Sequence, residues 1–564
     1  MRSHALLAAT AERFDLLVIG AGINGAGIAR DAAMRGLRVL LVDKGDLGSG
    51  TTSWSTRLIH GGLRYLEHFE GPLVRESLRE RETLMKIAGH LVKPVSMAIP
   101  IYEGDRRGPA IVRLGMVTYD VLSLGKSLDN HRMLSAAEAL EREPGLSPEG
   151  LRGAALYHDA QVEFAERLAV ENALAARTAG AVVLTYARAE RLVIEENVVR
   201  GVELSDVLNA SSGVREARAE VVVNAAGPWV DEVLSTAARR PRRMVGGTKG
   251  SHLVVESFAG APRDALYVEA SADGRPYFIV PWNGLFLIGT TDERYSGDLD
   301  WVVADDAEID YLIAETNRVV PEARLTREQV IYTYAGVRPL PYVRGGGTGG
   351  VTRRHIVHDH APDLAANLVS IVGGKLTTYR SLAEEAVDVV YRLLARRRPR
   401  SRTGKEHLPG GSAGSMEEFS TSFAATSGLD AVASARLVRV YGTRAEEIAQ
   451  IAASDESLAH RIADEPGTLA AEVLHTVRHE AAETLTDVLM RRTMIGLGPS
   501  VGIGPDREAA DIAMRWLGWD AERAKREVDA FRAYIERYRP RRDASPDSGG
   551  SPQRVARSSE KPTP

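Results

Sequence analysis

FDLLVIGAGINGAGIARDAAMRGLRVLLVD, residues 14–43, is the stretch whose reading decides the fold. Asp15 to Ile19 is a short Val/Ile/Leu run of the kind that fills a buried parallel strand. It enters Gly20-Ala21-Gly22-Ile23-Asn24-Gly25, a G-x-G-x-x-G turn. Helical spacing then runs through Ala26, Ile28, Ala29, Ala32 and Ala33 to Gly36, and a second apolar run, Arg38 to Val42, closes on Asp43. Each part has a mechanical reason in a dinucleotide site. Gly20 permits the tight turn, Gly22 lets a pyrophosphate approach the backbone, and Gly25 lets helix and strand pack closely. The helix start offers free N–H groups and a positive dipole end, and Asp43 is placed to accept from a ribose hydroxyl.

Outward from this unit, GDLGSGTTSWSTRLIHGG occupies the loop that should reach the ligand, with small donors at Thr52, Ser53, Ser55 and Thr56 before Gly61-Gly62. Strands are predicted at Ala181–Tyr186, Val198–Leu204 and Val221–Asn224. The last runs into Ala225-Ala226-Gly227, a second approach to the dinucleotide. Tyr277–Trp282 and Leu285–Thr290, joined by Asn283-Gly284, predict a β-hairpin, and with Leu253–Val255 an antiparallel sheet. Gly336 and Pro339 are expected to hold Arg338 in a stiff turn. Leu368–Val372 predicts a strand leading into Gly373-Gly374-Lys375-Leu376-Thr377, followed by a helix. RRRPRSR and GGSAGS read as a linker, and helices fill most of residues 416–538.

The expected architecture is therefore α/β: a Rossmann-like parallel sheet with an inserted antiparallel substrate region, then an all-α C-terminal domain. The boundaries are an extension (1–13), the nucleotide- and substrate-binding domain (14–395), a linker (396–415), the helical domain (416–540) and a disordered tail (541–564). All the dinucleotide motifs lie at or before Arg380, so a chain ending near Gly410 is expected to retain them. At 564 residues the chain exceeds a single core. A formal charge of −5 argues against a bulk nucleic-acid binder. The absence of cysteine excludes disulfides, thiolate metal sites and a cysteine nucleophile, and fits a cytoplasmic home. No apolar run is long enough to span a bilayer.

INGAGIARDAAMRG, RLIHGGLRYLE, NAAGPWV, KGSHLVV, IGTTD, YAGVRPL and GGKLTTYR occur in this order, and EAAETLTDVLMRRTMIGLG lies in the helical region. Together they closely resemble the flavin-dependent glycerol-3-phosphate dehydrogenases over about residues 14–535. The resemblance implies FAD as cofactor, oxidation of glycerol 3-phosphate to dihydroxyacetone phosphate, and electrons passed to a membrane quinone from a peripheral seat on the cytoplasmic face. It implies cofactor contacts at Gly20, Gly22, Asn24, Gly25, Asp43, Thr52, Ser53, Ser55, Thr56, Gly61, Gly62, Gly227, Gly374, Lys375, Leu376 and Thr377. Substrate contacts are implied at Arg64, Tyr65, Thr291, Arg338 and Lys375, and His252, Lys375 and Arg338 are the catalytic candidates. His252 is preferred over Tyr65 as base because an imidazole titrates near neutrality. A glycerophosphate oxidase using oxygen is the alternative enzyme, and an FAD-binding sensor with a partner-binding helical domain the alternative without catalysis. A homodimer is compatible with either.

No metal is expected. His355, His358 and His360 do not share one face of a strand, and no clustered acid completes them. His475 and His479 lack the Glu of H-E-x-x-H. The basic run Arg396–Arg402 reads either as a solvated linker or as a contact for anionic lipid headgroups.

Overall fold

A computed structural model describes residues 2–68, 70–237, 242–344, 352–463 and 467–541. Its first sheet is built on the strand Arg13–Ile19, buried from Phe14 onward. Parallel neighbours are Val39–Val42 on one side and Val214–Asn224 on the other. Val182–Leu184 and Leu368–Val372 extend the sheet in the same sense, and Ile356–Asp359 closes one edge antiparallel. The helix Ile23–Met34 packs on this sheet between the helices Ala165–Thr178 and Tyr379–Leu393. Its small residues let all three approach the strands closely.

The second sheet has ten strands, mostly antiparallel. The expected hairpin is present as Pro276–Trp282 and Leu285–Gly289. Asn283 and Gly284 both have positive φ (51° and 74°), as a two-residue turn requires. The expected strand at Leu253–Val255 is part of Thr248–Val255, whose other neighbour is Val330–Arg338. That pairing corrects the expected stiff turn at Arg338. Gly336 lies within the strand, where a side chain would overlap Trp54, and Arg338 is the strand's last residue.

The C-terminal region is helical apart from the short pair Arg461–Ala463 and Thr468–Leu469. The linker reading needs correction at its C-terminal end. Arg396 pairs with Asp15 and Glu220, Arg398 with Asp388 and Arg402 with Glu406, and these arginines stay exposed. Gly410 is buried, and its amide donates to Glu171 at 3.1 Å. The two domains are then joined by buried charge: Asp46 accepts from Arg491 and Arg492, and Arg167 pairs with Glu480. Of the expected tail, all but Arg541 lies outside the described residues.

Candidate active site

A cavity of about 950 Å³ opens where the parallel strands end, the place at which α/β sheets of this kind bind ligands. Gly20, Gly22, Asn24, Asp43, Thr52, Ser55, Gly227, Gly374, Lys375 and Leu376 line it. Gly20 has φ 102°, and a Cβ there would come within 2.6 Å of the Ala225 carbonyl. Gly22 differs: a Cβ would meet only Thr52 Oγ1, at 3.4 Å, so its bareness serves the cavity rather than protein packing. The Ile23 amide donates to Thr52 Oγ1. Asn24 Nδ2 reaches the Gly373 carbonyl at 3.4 Å, while its Oδ1 is buried without a partner among the described residues. An anion-ready helix start and an open glycine fit a bound pyrophosphate.

Asp43 accepts from the amides of Ala21 (2.6 Å) and Gly45 (2.8 Å). Burial lifts its carboxyl above the usual range against the pull of those amides. Each oxygen keeps a further lone pair for a ribose hydroxyl.

Six expected cofactor residues are not on the cavity wall. A side chain at Gly25 would overlap the Gly20 carbonyl, so this glycine serves close packing. Ser53 donates to Gly48, and Thr56 bonds His252. The Gly61 amide donates to the Tyr119 hydroxyl, and Gly62 lies against Tyr65. Thr377 Oγ1 accepts from the His60 amide at 3.2 Å. These residues shape the loops behind the wall.

Lys375 stands at the edge of the cavity with Nζ 3.7 Å above the Tyr65 ring and 3.3 Å from Ser77 Oγ. Burial, reinforced by Arg353 and opposed by Glu70, brings its ammonium down to about 7. Arg338 donates to Asp292 (3.0 Å), to Thr290 Oγ1 (3.0 Å) and to the Thr291 carbonyl (3.1 Å). Arg353 shares the same carboxylate at 3.3 Å. Burial acts to raise Asp292, but Arg338 and Arg353 outweigh it and hold the carboxyl below its ordinary value. Thr291 is corrected as a substrate contact through its hydroxyl. That hydroxyl accepts from Ser251 N and donates to Glu308, and only the carbonyl serves Arg338. Arg64 lies on the turn Leu63–His68, and its side chain is outside the described residues.

His252 is misplaced as a base. It is buried within Thr248–Val255, stacked on Tyr334, with Nε2 on Thr56 at 2.9 Å. Burial, then Arg338 and Arg57, depress its pKa well below the ordinary value. His60, in RLIHGG, was passed over by the sequence reading. Burial, opposed by Asp159 and helped by Lys375 and Arg81, brings it to about 4, so its ring is neutral at physiological pH. Asp292, and Trp54 on the cavity wall, were also missed. Asp292 ends IGTTD and could have been found as the first acid after that glycine-threonine turn, whereas Arg353 reaches it only through the fold.

A parallel nucleotide-binding sheet with a glycine-lined cavity at its strand ends, beside a mostly antiparallel second sheet, defines a two-sheet dinucleotide-binding oxidoreductase. A family profile described as FAD dependent oxidoreductase matches residues 15–380, and one described as the C-terminal domain of alpha-glycerophosphate oxidase matches residues 401–524. The chain is 46% identical to a glycerol-3-phosphate dehydrogenase of Synechocystis sp., over 93% of this chain and 96% of that one. It is 37% identical to glycerol-3-phosphate dehydrogenase 2 of Mycobacterium tuberculosis, over 93% and 88%. The crystal structure of the glycerol-3-phosphate dehydrogenase from Bacillus halodurans complexed with FAD superposes with a TM-score of 0.77 at 29% identity, covering 96% of this chain and 99% of that one. The chain belongs to the FAD-dependent glycerol-3-phosphate dehydrogenase family, and its cofactor is FAD.

Proposed function

We propose that the protein oxidises sn-glycerol 3-phosphate to dihydroxyacetone phosphate and passes the electrons to a membrane quinone from a peripheral seat on the inner face of the cytoplasmic membrane. The observation that carries the substrate is a cation set beside the cavity wall at Pro339 and Lys375. Arg338 and Arg353 share the single carboxylate of Asp292, and Arg353 also bears electrostatically on Lys375. Two guanidiniums with one anion between them leave net positive charge for a phosphate. The names of the relatives agree with this reading.

Gly20, Gly22, Asn24 and the first turn of Ile23–Met34 would hold the FAD pyrophosphate, and Asp43 the ribose. Bound FAD supplies the acceptor for a hydride. The chain's own residues do the rest. Arg338, kept from swinging by Asp292 and Thr290, takes the phosphate with Arg353. Lys375 adds a third positive charge while protonated. His60, neutral and near enough to Lys375 to feel its charge, is the imidazole beside this cation set. Tyr65 beneath Lys375 fixes where that charge sits.

Support for the acceptor comes from the helix Pro109–Leu122. Its inner face buries Val112, Met116 and Tyr119, and Tyr119 meets Gly61 beside His60. Its outer face, continued past the helix end by Leu124, exposes Ile111, Leu114, Val117, Val121 and Leu124, with Leu114 and Leu124 at 68% and 83%. Such a stripe, with Arg106 and Arg113 exposed nearby, suits the headgroup boundary of a bilayer. No helix among the described residues is long and apolar enough to cross a membrane.

The reading is tested by mixing the purified protein anaerobically with glycerol 3-phosphate. The flavin absorbance should bleach, and re-oxidation should be faster with a quinone analogue than with oxygen. Persistent yellow colour would overturn the substrate, and faster re-oxidation by oxygen would overturn the acceptor.

A further inference from the structure

The hairpin of Ile356–Asp359 and Leu368–Val372 forms the edge of the first sheet, and His358 lies opposite Ser370 in its register. Side chains two residues apart share one face of a strand, which keeps His358 and His360 together. His355 goes elsewhere, to Glu385 at 3.0 Å. Beyond the strand the chain makes one tight turn, with the amides of Asp363, Leu364 and Ala365 all donating to the His360 carbonyl. That turn returns Asp363 to the two rings. Its Oδ2 lies 2.9 Å from His358 Nε2, and its Oδ1 3.0 Å from His360 Nδ1. The rings meet edge to face, with centroids 4.5 Å apart at 78°, so the nitrogens converge on the carboxylate instead of stacking.

We propose that His358, His360 and Asp363 form a binding site for one divalent transition-metal ion of the zinc type. The ligand atoms all lie within 4.8 Å of one another. In a tetrahedral site with bonds of about 2.0–2.2 Å, neighbouring ligand atoms stand about 3.3 Å apart. The two nitrogen–carboxylate separations therefore need to open by only a few tenths of an ångström. Two imidazoles and a carboxylate are a donor set for zinc, cobalt, nickel or copper rather than for calcium or magnesium. A second layer is already present. His360 is fully buried, and its Nε2 lies 2.9 Å from Ser370 Oγ. That hydroxyl can donate to a bare Nε2 or accept from Nε2–H, so it can hold the tautomer that leaves Nδ1 free for a metal. His358 and Asp363 stay partly exposed, which leaves an entry path and room for a water to complete the coordination. The sequence reading set these histidines aside for want of a clustered acid. Asp363, three residues beyond His360, is that acid.

The site would close the hairpin whose second strand leads directly into Gly373, Gly374 and Lys375. The inference does not depend on the proposed substrate or acceptor, and its test reads metal rather than turnover. The full-length, flavin-loaded protein, without a histidine tag and stripped by chelator dialysis, is titrated with zinc chloride. Calorimetry and metal analysis should show one zinc per chain bound above any weaker background from the other histidines. His358→Ala and Asp363→Asn should each weaken that binding by more than about 100-fold, and Ser370→Ala by about 10-fold. His355→Ala should leave it unchanged. Zinc should raise the melting temperature of the wild type but not of His358→Ala, with circular dichroism and flavin absorbance reporting that each variant is folded. No stoichiometric zinc uptake by the wild type would overturn the proposal. So would equal affinity in wild type, His358→Ala and Asp363→Asn.

Discussion

Arg338 is the residue on which substrate choice should turn. Its guanidinium is aimed by Asp292 and Thr290, so little orientational freedom remains to be lost on binding phosphate. Arg338→Ala removes a charge-assisted, partly desolvated contact of about 2–4 kcal/mol. That corresponds to roughly 30- to 1000-fold in kcat/KM for glycerol 3-phosphate. Turnover of unphosphorylated glycerol should barely change, and steady-state kinetics with both substrates check this. Equal losses with both would refute the phosphate contact. Lys375 makes a prediction about pH. Burial lowers its ammonium to about 7, so in the free enzyme the cation is present below that value and lost above it. Because kcat/KM reports the free enzyme, it should fall on the alkaline side from about pH 7. Lys375→Arg, which does not titrate in this range, should remove that limb even where it lowers the rate. An unchanged limb in Lys375→Arg would assign it to another group.

The helix Pro109–Leu122 carries the prediction at the scale of an element. A helix in a water-soluble body normally buries its apolar face, and this one does so with Val112, Met116 and Tyr119. The second apolar face, through Leu114 and Val121, has no protein partner among the described residues and should seat on lipid. Burying a side chain such as Leu contributes about 1.5–3 kcal/mol. Leu114→Asp with Val121→Asp should therefore reduce co-sedimentation with anionic vesicles by more than about tenfold, while flavin bleaching by soluble substrate stays intact. Undiminished sedimentation of the double variant would place the membrane contact elsewhere. The hairpin at Asn283-Gly284 shows an element being recruited across domains. Its turn residue Asn283 donates to the Leu497 carbonyl and accepts from Arg439.

At the scale of the whole molecule, the helical domain is part of the cofactor cavity. Arg491, Arg526, Tyr534 and Arg537 line it together with the glycine-rich turns. The expectation that a chain ending near Gly410 would keep its flavin therefore changes. Such a chain would leave Asp46, now fully buried between Arg491 and Arg492, without either partner, and would open one side of the cavity. We expect it to purify without flavin or to aggregate, whereas retention of stoichiometric FAD would show that the helical domain is dispensable. A milder probe is Asp46→Asn. Breaking a buried ionic cluster by neutralising one member costs about 3–5 kcal/mol, so this variant should melt earlier and release flavin at lower denaturant, as thermal melts followed by flavin fluorescence would report.

The sequence alone determined the nucleotide-binding unit, because strand, glycine turn, helix and acid are contiguous and each is set by local chemistry: positive φ at Gly20, close packing at Gly25, an apolar run at Leu16–Ile19. The hairpin at Asn283-Gly284 was legible for the same reason. What only the tertiary structure decided is everything that depends on residues far apart in the chain. His252 looked like a base by its intrinsic pKa, but two-sided burial in a sheet removes it from the cleft, while His60 is held neutral by burial, with Lys375 and Arg81 helping against the pull of Asp159, none of them its neighbours in sequence. Arg338 and Arg353 are joined only through Asp292. The end of the apparent linker became buried structure because Glu171, more than two hundred residues earlier, accepts from Gly410. Local patterns report backbone geometry and burial period, whereas charge pairing and desolvation are set by which distant segments the fold brings within a few ångströms.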